Sequence, residues 1–331
     1  MDDGKKTGLV AFLAVLLFFS GCSTLETRPA DDASTPSTSV GVDVGELSSI
    51  RTIVSAQNME AQADREYRKL LKNAQDKDNL VGPDDVQAKR LTAITDRIIP
   101  VAKAISVDAV KYANVDKWTW EVNLIRSNEI NAFCMPGGKI AFYTGLIDKL
   151  QATDDELAIV LGHEVAHALR EHARAQVAKG QLTSLGTGLL GIIIGKGQYA
   201  RVFGLANDML NLKFSRGDET EADLVGLELA ARAGYNPHAG ISLWQKMGKA
   251  SSGMSIPWFS THPSSESRIK DIEAQLPKVM PLYEQAKSPE PALDTKQQAK
   301  GAEQTPNPVR KPERGAKKAT QKPAKKTEQG R

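Results

Sequence analysis

Between residues 47 and 74, Ile50, Ile53, Val54, Met59, Tyr67 and Leu70 fall at helical spacing with charged residues between them, which predicts an amphipathic helix. A second helix is expected from Pro83, a residue suited to a first helical turn, through Ile98 and Ile99 to a stop at Pro100. The period then changes. Trp118, Trp120, Val122 and Leu124 alternate with Thr119, Glu121 and Asn123, as in a half-buried strand whose aromatics belong to the core. Residues 131–138 end in Pro136, Gly137 and Gly138 and read as a turn, and the following Ile, Phe and Tyr of residues 139–144 read as a strand at a sheet edge. Thr153-Asp154-Asp155-Glu156 has the form of a capping box, in which the hydroxyl and the carboxylate satisfy amides left unpaired at a helix start. That helix should run through Leu157, Val160, Leu161 and Val165 to about Lys179 and stop at Gly180. Residues 182–195 are apolar but interrupted by Gly186, Gly188 and Gly191, too short for a membrane span, and fit either a flexible loop or short helix acting as a lid, or a buried core segment. Helical spacing returns over residues 211–232, closed by Gly234 and Pro237.

The two ends differ from this middle. Lys5 and Lys6 precede an apolar run over residues 9–19 that finishes in Ser20, Gly21 and Cys22, the pattern of an export signal cleaved before an acylated cysteine. The expected organisation is a lipoprotein signal peptide over 1–21, a Ser/Thr/Pro-rich tether over 22–48, one folded domain over 49–285 and an unfolded basic tail over 286–331. A lipid on Cys22 leaves Cys134 with no partner for an intrachain disulfide. The formal net charge of +3 is too small to imply a nucleic-acid partner.

The chemistry is concentrated in His163-Glu164-Val165-Ala166-His167, an HExxH motif inside the capped helix. Residues four apart share one helix face, so both imidazoles can meet one ion at about 2.0–2.1 Å. Glu164 is offset by about 100° around the axis, close enough to hydrogen-bond a water at an open coordination position. A catalytic zinc needs a third protein ligand, and a glutamate on a second helix can supply it. Glu219 and Asp223 stand four apart within Ser215-Arg216-Gly217-Asp218-Glu219-Thr220-Glu221-Ala222-Asp223 and can both face the HExxH helix. Glu219 is expected to ligate one zinc per chain, and Asp223 either to accept the second ring N–H of a ligand histidine or to act as a simple salt-bridging acid. Glu221 is the weaker ligand candidate, and His172 and His238 receive no role.

With these residues the chain resembles the zinc metallopeptidases of the HtpX and CAAX prenyl protease group, peptidase family M48, including its LoiP-like and BepA-like bacterial lipoproteins. The resemblance spans roughly residues 60–275 and rests on the segments Asn131 to Gly138, Gly162 to Ala168, Ser215 to Asp223, and Thr261-His262-Pro263 with Arg268. It implies an α+β, predominantly helical gluzincin fold whose edge strand, expected at Gly138, Lys139, Ile140 and Ala141, receives an extended substrate. It also implies an endopeptidase with Glu164 as general base, and gives His262 and Arg268 as candidates for stabilising the oxyanion. His262 has a second implied role, filling the fourth zinc position and holding the enzyme idle. Unfolded or misassembled envelope proteins are the implied substrates, and Ser23 after the lipidated cysteine implies the periplasmic face of the outer membrane. A rival is an envelope assembly or quality-control factor that binds clients, with other assembly proteins as partners and little proteolysis. A peptidoglycan hydrolase fits poorly, because zinc amidases space their ligands differently.

Overall fold

The computed structural model describes residues 41–188, 212–252, 255–263 and 267–288. A 3-10 helix (Ser49–Ile53) leads into α1 (Ala56–Asp76) and α2 (Val86–Ile105). Strands β1 (Glu121–Ile125), β2 (Ala132–Met135) and β3 (Lys139–Tyr143) follow. The remaining helices are α3 (Thr144–Leu150), α4 (Asp154–Leu169), α5 (His172–Gly188), α6 (Arg216–Arg232), α7 (Ala239–Ser251), the short α8 (Trp258–Thr261) and α9 (Ser267–Lys287). The fold of the described residues is α+β and mostly helical, as expected, with a small three-stranded sheet.

The predicted first helix is divided at Val54, after which the Ser55 hydroxyl accepts from the Asn58 amide and starts α1. The second begins after Asp85, whose carboxylate accepts from the amides of Gln87 and Ala88, and not at Pro83. It also continues past Pro100. One helical hydrogen bond is lost there, but Ile98, Ile99 and Ala102 are buried on one face and hold both sides of the proline against the core. Residues 41–48, assigned to the tether from composition, are packed: Val42, Val44 and Leu47 are buried, and the Val42 amide donates to buried Glu228 at 2.8 Å.

The sheet corrects two expectations. Residues 132–135 form a strand, with the turn confined to Pro136, Gly137 and Gly138; the positive φ of 82° and 79° at the two glycines suits residues without a Cβ. A Cβ on Gly138 would also lie 2.8 Å from the Trp120 ring, so this glycine serves the turn and the indole. More consequentially, the strand order is β1-β3-β2, parallel between β1 and β3 and antiparallel between β3 and β2. β3 is therefore central. The Gly138 carbonyl accepts from the Glu121 amide, the Ile140 carbonyl accepts from the Tyr67 hydroxyl, and buried Lys139 donates to the Thr119 carbonyl. Gly138, Lys139, Ile140 and Ala141 thus offer no free edge to a substrate. The outer edge on the side of α4 belongs to β2, which among the described residues pairs only with β3.

α4 is the centre of the molecule. Its capping box forms as predicted, with the Thr153 hydroxyl accepting from the Glu156 amide and the Glu156 carboxylate accepting from the Thr153 amide. Every residue from Glu156 to Leu169 is buried, so the helix is enclosed on all sides and has no solvent stripe. Burial pushes the Glu156 carboxyl upward in pKa, but bonds from Lys246, Ser242 and the Thr153 amide outweigh this and hold it below its ordinary value. α6 crosses α4 at two glycines. A Cβ on Gly162 would stand 2.5 Å from the Gly226 carbonyl oxygen, and one on Gly226 would stand 2.5 Å from the His163 amide nitrogen. This close approach lets a short carboxylate on α6 reach a histidine on α4. Gly180 does not stop the helix; the break comes at Arg170 and at Glu171, which is left-handed at φ 53°, and α5 then runs on through Gly180.

Candidate active site

His163 and His167 project from one face of α4, and Glu219 and Asp223 stand one turn apart on the facing side of α6. His262 caps the C-terminus of α8 and Arg268 lies at the start of α9. One donor atom each from His163, His167, Glu219 and His262 fall within 4.8 Å of one another, and all four residues are buried. The spacings are 3.1 Å between the two Nε2 atoms of His163 and His167, 3.6 and 3.5 Å from these to the Glu219 oxygens, and 3.0 Å from His262 Nδ1 to Glu219 Oε1. Four ligands at 2.0–2.1 Å in a tetrahedron would be about 3.3 Å apart, so the donor set and its spacing fit a single metal ion of zinc size. Of the described residues, these four form the one such group of histidine, cysteine and acidic side chains.

Burial drives the His167 imidazole well below its ordinary pKa, leaving it in the neutral form that a metal requires. His163 moves the other way: burial lowers it, but the bond to Asp223 and the charge of Glu219 raise it further. For Glu219, burial is outweighed by the close approach of the His167, His262 and His163 imidazoles, which hold the carboxyl far below the usual range.

Asp223 lies behind the cluster, against both His163 and Arg268. Its Oδ1 lies 3.0 Å from His163 Nδ1, which makes Nδ1 the protonated nitrogen and leaves Nε2 to face the cluster. Arg268 is not an oxyanion donor. Its Nε and Nη2 each donate to Asp223 at 2.6 Å, its Nη1 donates to Glu219 at 2.7 Å, and its guanidinium lies 3.7 Å from the centre of the Trp244 ring. Each of its three nitrogens is engaged behind the His/Glu cluster, where the guanidinium balances two buried carboxylates.

Glu164 faces the open side. Burial pushes its pKa up, offset in part by His262 and His163 and by the Cys134 backbone amide. Its Oε1 is buried and has no hydrogen-bond partner among the described residues, although His262 Nε2 is 3.6 Å away. A cleft opens in front of it, lined by residues 131–136 of β2 and its flanks together with Glu164, His167, Phe214 and His262. Cys134 lines the same cleft, and burial reinforced by the Glu164 charge pushes its thiol well up, so it is un-ionised.

Three contacts had no signal in the sequence. Phe214 lies against the His167 ring with centroids 4.1 Å apart. His172 Nδ1 approaches His167 Nδ1 to 2.9 Å, and the Nε2 of His172 is 3.2 Å from Glu221. Glu221 in turn pairs with Arg170 at 2.7 Å and stands outside the four-residue cluster. His238 is exposed at the start of α7. Residues 182–188 of the apolar segment continue α5, whereas Cys22 and 189–195 lie outside the described residues. Among those described, no helix is long and apolar enough to cross a membrane.

A model of peptidase family M48 matches residues 97–276, more than half of the chain. Mitochondrial metalloendopeptidase OMA1 of Arabidopsis thaliana is 40% identical over 157 residues, covering 46% of this chain and 30% of that protein. Metalloprotease LoiP of Escherichia coli K12 is 29% identical over 196 residues, 57% of this chain and 70% of its own length. The beta-barrel assembly-enhancing protease of Yersinia pestis is 30% identical over 183 residues, covering 52% of this chain and 37% of that protein. The chain spans between 30% and 55% of the first three OMA1 relatives it matches.

Proposed function

Because the chain belongs to peptidase family M48, we propose that it is a zinc-dependent endopeptidase in which His163, His167 and Glu219 hold the ion and Glu164 is the general base. The observation that carries this is the convergence of four buried ligand atoms within 4.8 Å, with an unpartnered Glu164 oxygen alongside. A zinc ion bound there supplies Lewis acidity to the scissile carbonyl and acidity to a water molecule. Glu164 takes the proton as the water oxygen attacks the carbonyl carbon, and returns it to the amine as the C–N bond breaks. Its raised pKa suits a group that must both accept and release that proton. Asp223, held by Arg268, fixes the His163 ring for ligation.

The outer edge of β2, free of strand pairing among the described residues but with its Cys134 amide bonded to Glu164, is the substrate strand in this reading. An extended peptide paired with it would lie along the cleft beside Glu164, held by backbone bonds that are blind to sequence. Such sequence tolerance suits unfolded or misassembled envelope proteins as substrates. Purified chain should contain about one zinc, cleave casein, lose that activity with a chelator and regain it with added zinc. Equal cleavage by a metal-free preparation would overturn the assignment.

The N-terminal pattern ending in Ser20, Gly21 and Cys22 supports a lipid anchor in the outer membrane, facing the periplasm. Cys22→Ala should shift the protein from the membrane fraction to the soluble fraction, since acyl chains there would be its main hold on the bilayer. Unchanged sedimentation of the variant with the outer membrane counts against the anchor.

A further inference from the structure

Beyond the ligands and Asp223, the geometry points to Glu221 and His172 as a second positioning pair, which fixes the proton of His167 on Nδ1 and so presents its Nε2 lone pair to the metal. This rests on the zinc assignment above and adds residues to it.

Glu221 Oε2 already accepts from Arg170 Nε at 2.8 Å and Arg170 Nη2 at 2.7 Å, and as a carboxylate it has no proton to give. His172 Nε2, 3.2 Å from the same oxygen, must therefore be the donor. For His167 to ligate through Nε2 its one proton must sit on Nδ1, so His172 faces it with an Nδ1 lone pair and keeps its own single proton on Nε2. That lone pair lies 2.9 Å from His167 Nδ1. What is left on His167 is Nε2, 3.1 Å from His163 Nε2 and 3.5 Å from Glu219, inside the cluster. On the other ligand histidine, Asp223 imposes the same order directly. The two rings are thus set from opposite sides, one by a carboxylate and one by a carboxylate acting through an imidazole.

The fold places this relay through local strain. Glu171 adopts the left-handed conformation at φ 53°, uncommon for a residue with a side chain, and turns the chain so that His172 folds back over the preceding helix. Arg51 and Arg174 hold Glu171 there at 2.6 and 2.7 Å. Phe214 covers another side of the His167 ring, so the imidazole has little room to rotate out of register.

The test uses the full chain, stripped of metal and titrated with zinc chloride against a chromophoric chelator. In His172→Asn the side-chain oxygen can stand where Nδ1 stood, keeping the acceptor for His167. In His172→Gln the polar end reaches toward Glu221 and that acceptor is lost, and His172→Phe keeps only the ring volume. Zinc affinity should fall on the order of 10–100-fold in the Gln and Phe variants, the loss typical of removing an outer-shell partner, and by no more than about threefold in the Asn variant. A Gln variant that binds zinc as tightly as the parent, or an Asn variant as weak as Phe, overturns the relay. A measurement on the unaltered protein guards against misfolded variants. In the zinc-loaded chain, long-range proton–nitrogen NMR should find the His172 proton on Nε2 and its Nδ1 unprotonated; a proton on Nδ1 overturns the inference. Parent protein that takes up no zinc overturns both this pair and the peptidase assignment, whereas tight zinc binding with no response to His172 overturns the pair alone.

Discussion

Glu164→Gln should retain about one zinc per chain and lose casein cleavage by on the order of 10²–10⁴-fold, the usual contribution of a positioned general acid–base. The carboxylate is not among the four converging ligand atoms, so the amide leaves the metal set intact. Nor should the change harm the fold. Glu164 is 2% exposed, its Oε1 has no partner among the described residues, and burial already favours its uncharged form. Glutamine is a neutral isostere that can still accept from the Cys134 amide but cannot take a proton from water. Metal analysis and cleavage rate on the same preparation separate the two effects. Comparable cleavage by the variant would sink the mechanism. The rival role, a client-binding factor with little proteolysis, predicts that glutamine at 164 changes nothing the protein does.

The parts of this site that were legible in the sequence are those governed by spacing along one helix. HExxH sets two imidazoles on one face, and Glu219 and Asp223 are four apart for the same reason; the capping box at Thr153 announces where the first of the two helices starts, while the one at Ser215, which starts the second five residues later than its helical spacing suggested, was not recognised. The errors lie where partners come from elsewhere in the chain. Arg268 has the charge to stabilise an oxyanion, but two carboxylates on α6 bind it from behind, and nothing along the sequence records that encounter. β3 reads as an edge because it follows a turn, whereas its place in the sheet is decided by β1, some fifteen residues before it, which pairs along its other side. Residues 132–135 were hidden by the Pro-Gly-Gly that follows them.

Other features are invisible in one dimension because the residue types are ordinary. Glutamate is a good helix former, so the left-handed turn at Glu171 leaves no mark in the sequence, and with it the return of His172 to His167 was lost. Gly162 and Gly226 look like mild helix weaknesses. Their purpose emerges only when the two helices touch, because any side chain at either would force apart the helices that bring His163 and Glu219 together.

His262→Ala should raise basal cleavage of an unstructured substrate about tenfold or more, while zinc affinity falls. His262 Nδ1 lies 3.0 Å from Glu219 Oε1 and 3.4 Å from His163 Nε2, among the ligand atoms themselves, and its Nε2 is 3.6 Å from Glu164. If that imidazole fills the fourth position on a bound ion, it takes the place a reacting water needs, and the site works only when the ring has left. If the open form is populated a tenth of the time or less, removing the ring recovers at least that factor. Alanine should be tolerated structurally, because Glu219 keeps its bond to Arg268 and α8 remains anchored by buried Trp258 stacked on Trp244. The oxyanion role predicts the opposite sign, a fall of about 10²–10³-fold as for the loss of one such donor. Turnover per bound zinc is the quantity to compare. A fall would show that the ring serves the transition state, and an unchanged rate would remove His262 from both roles.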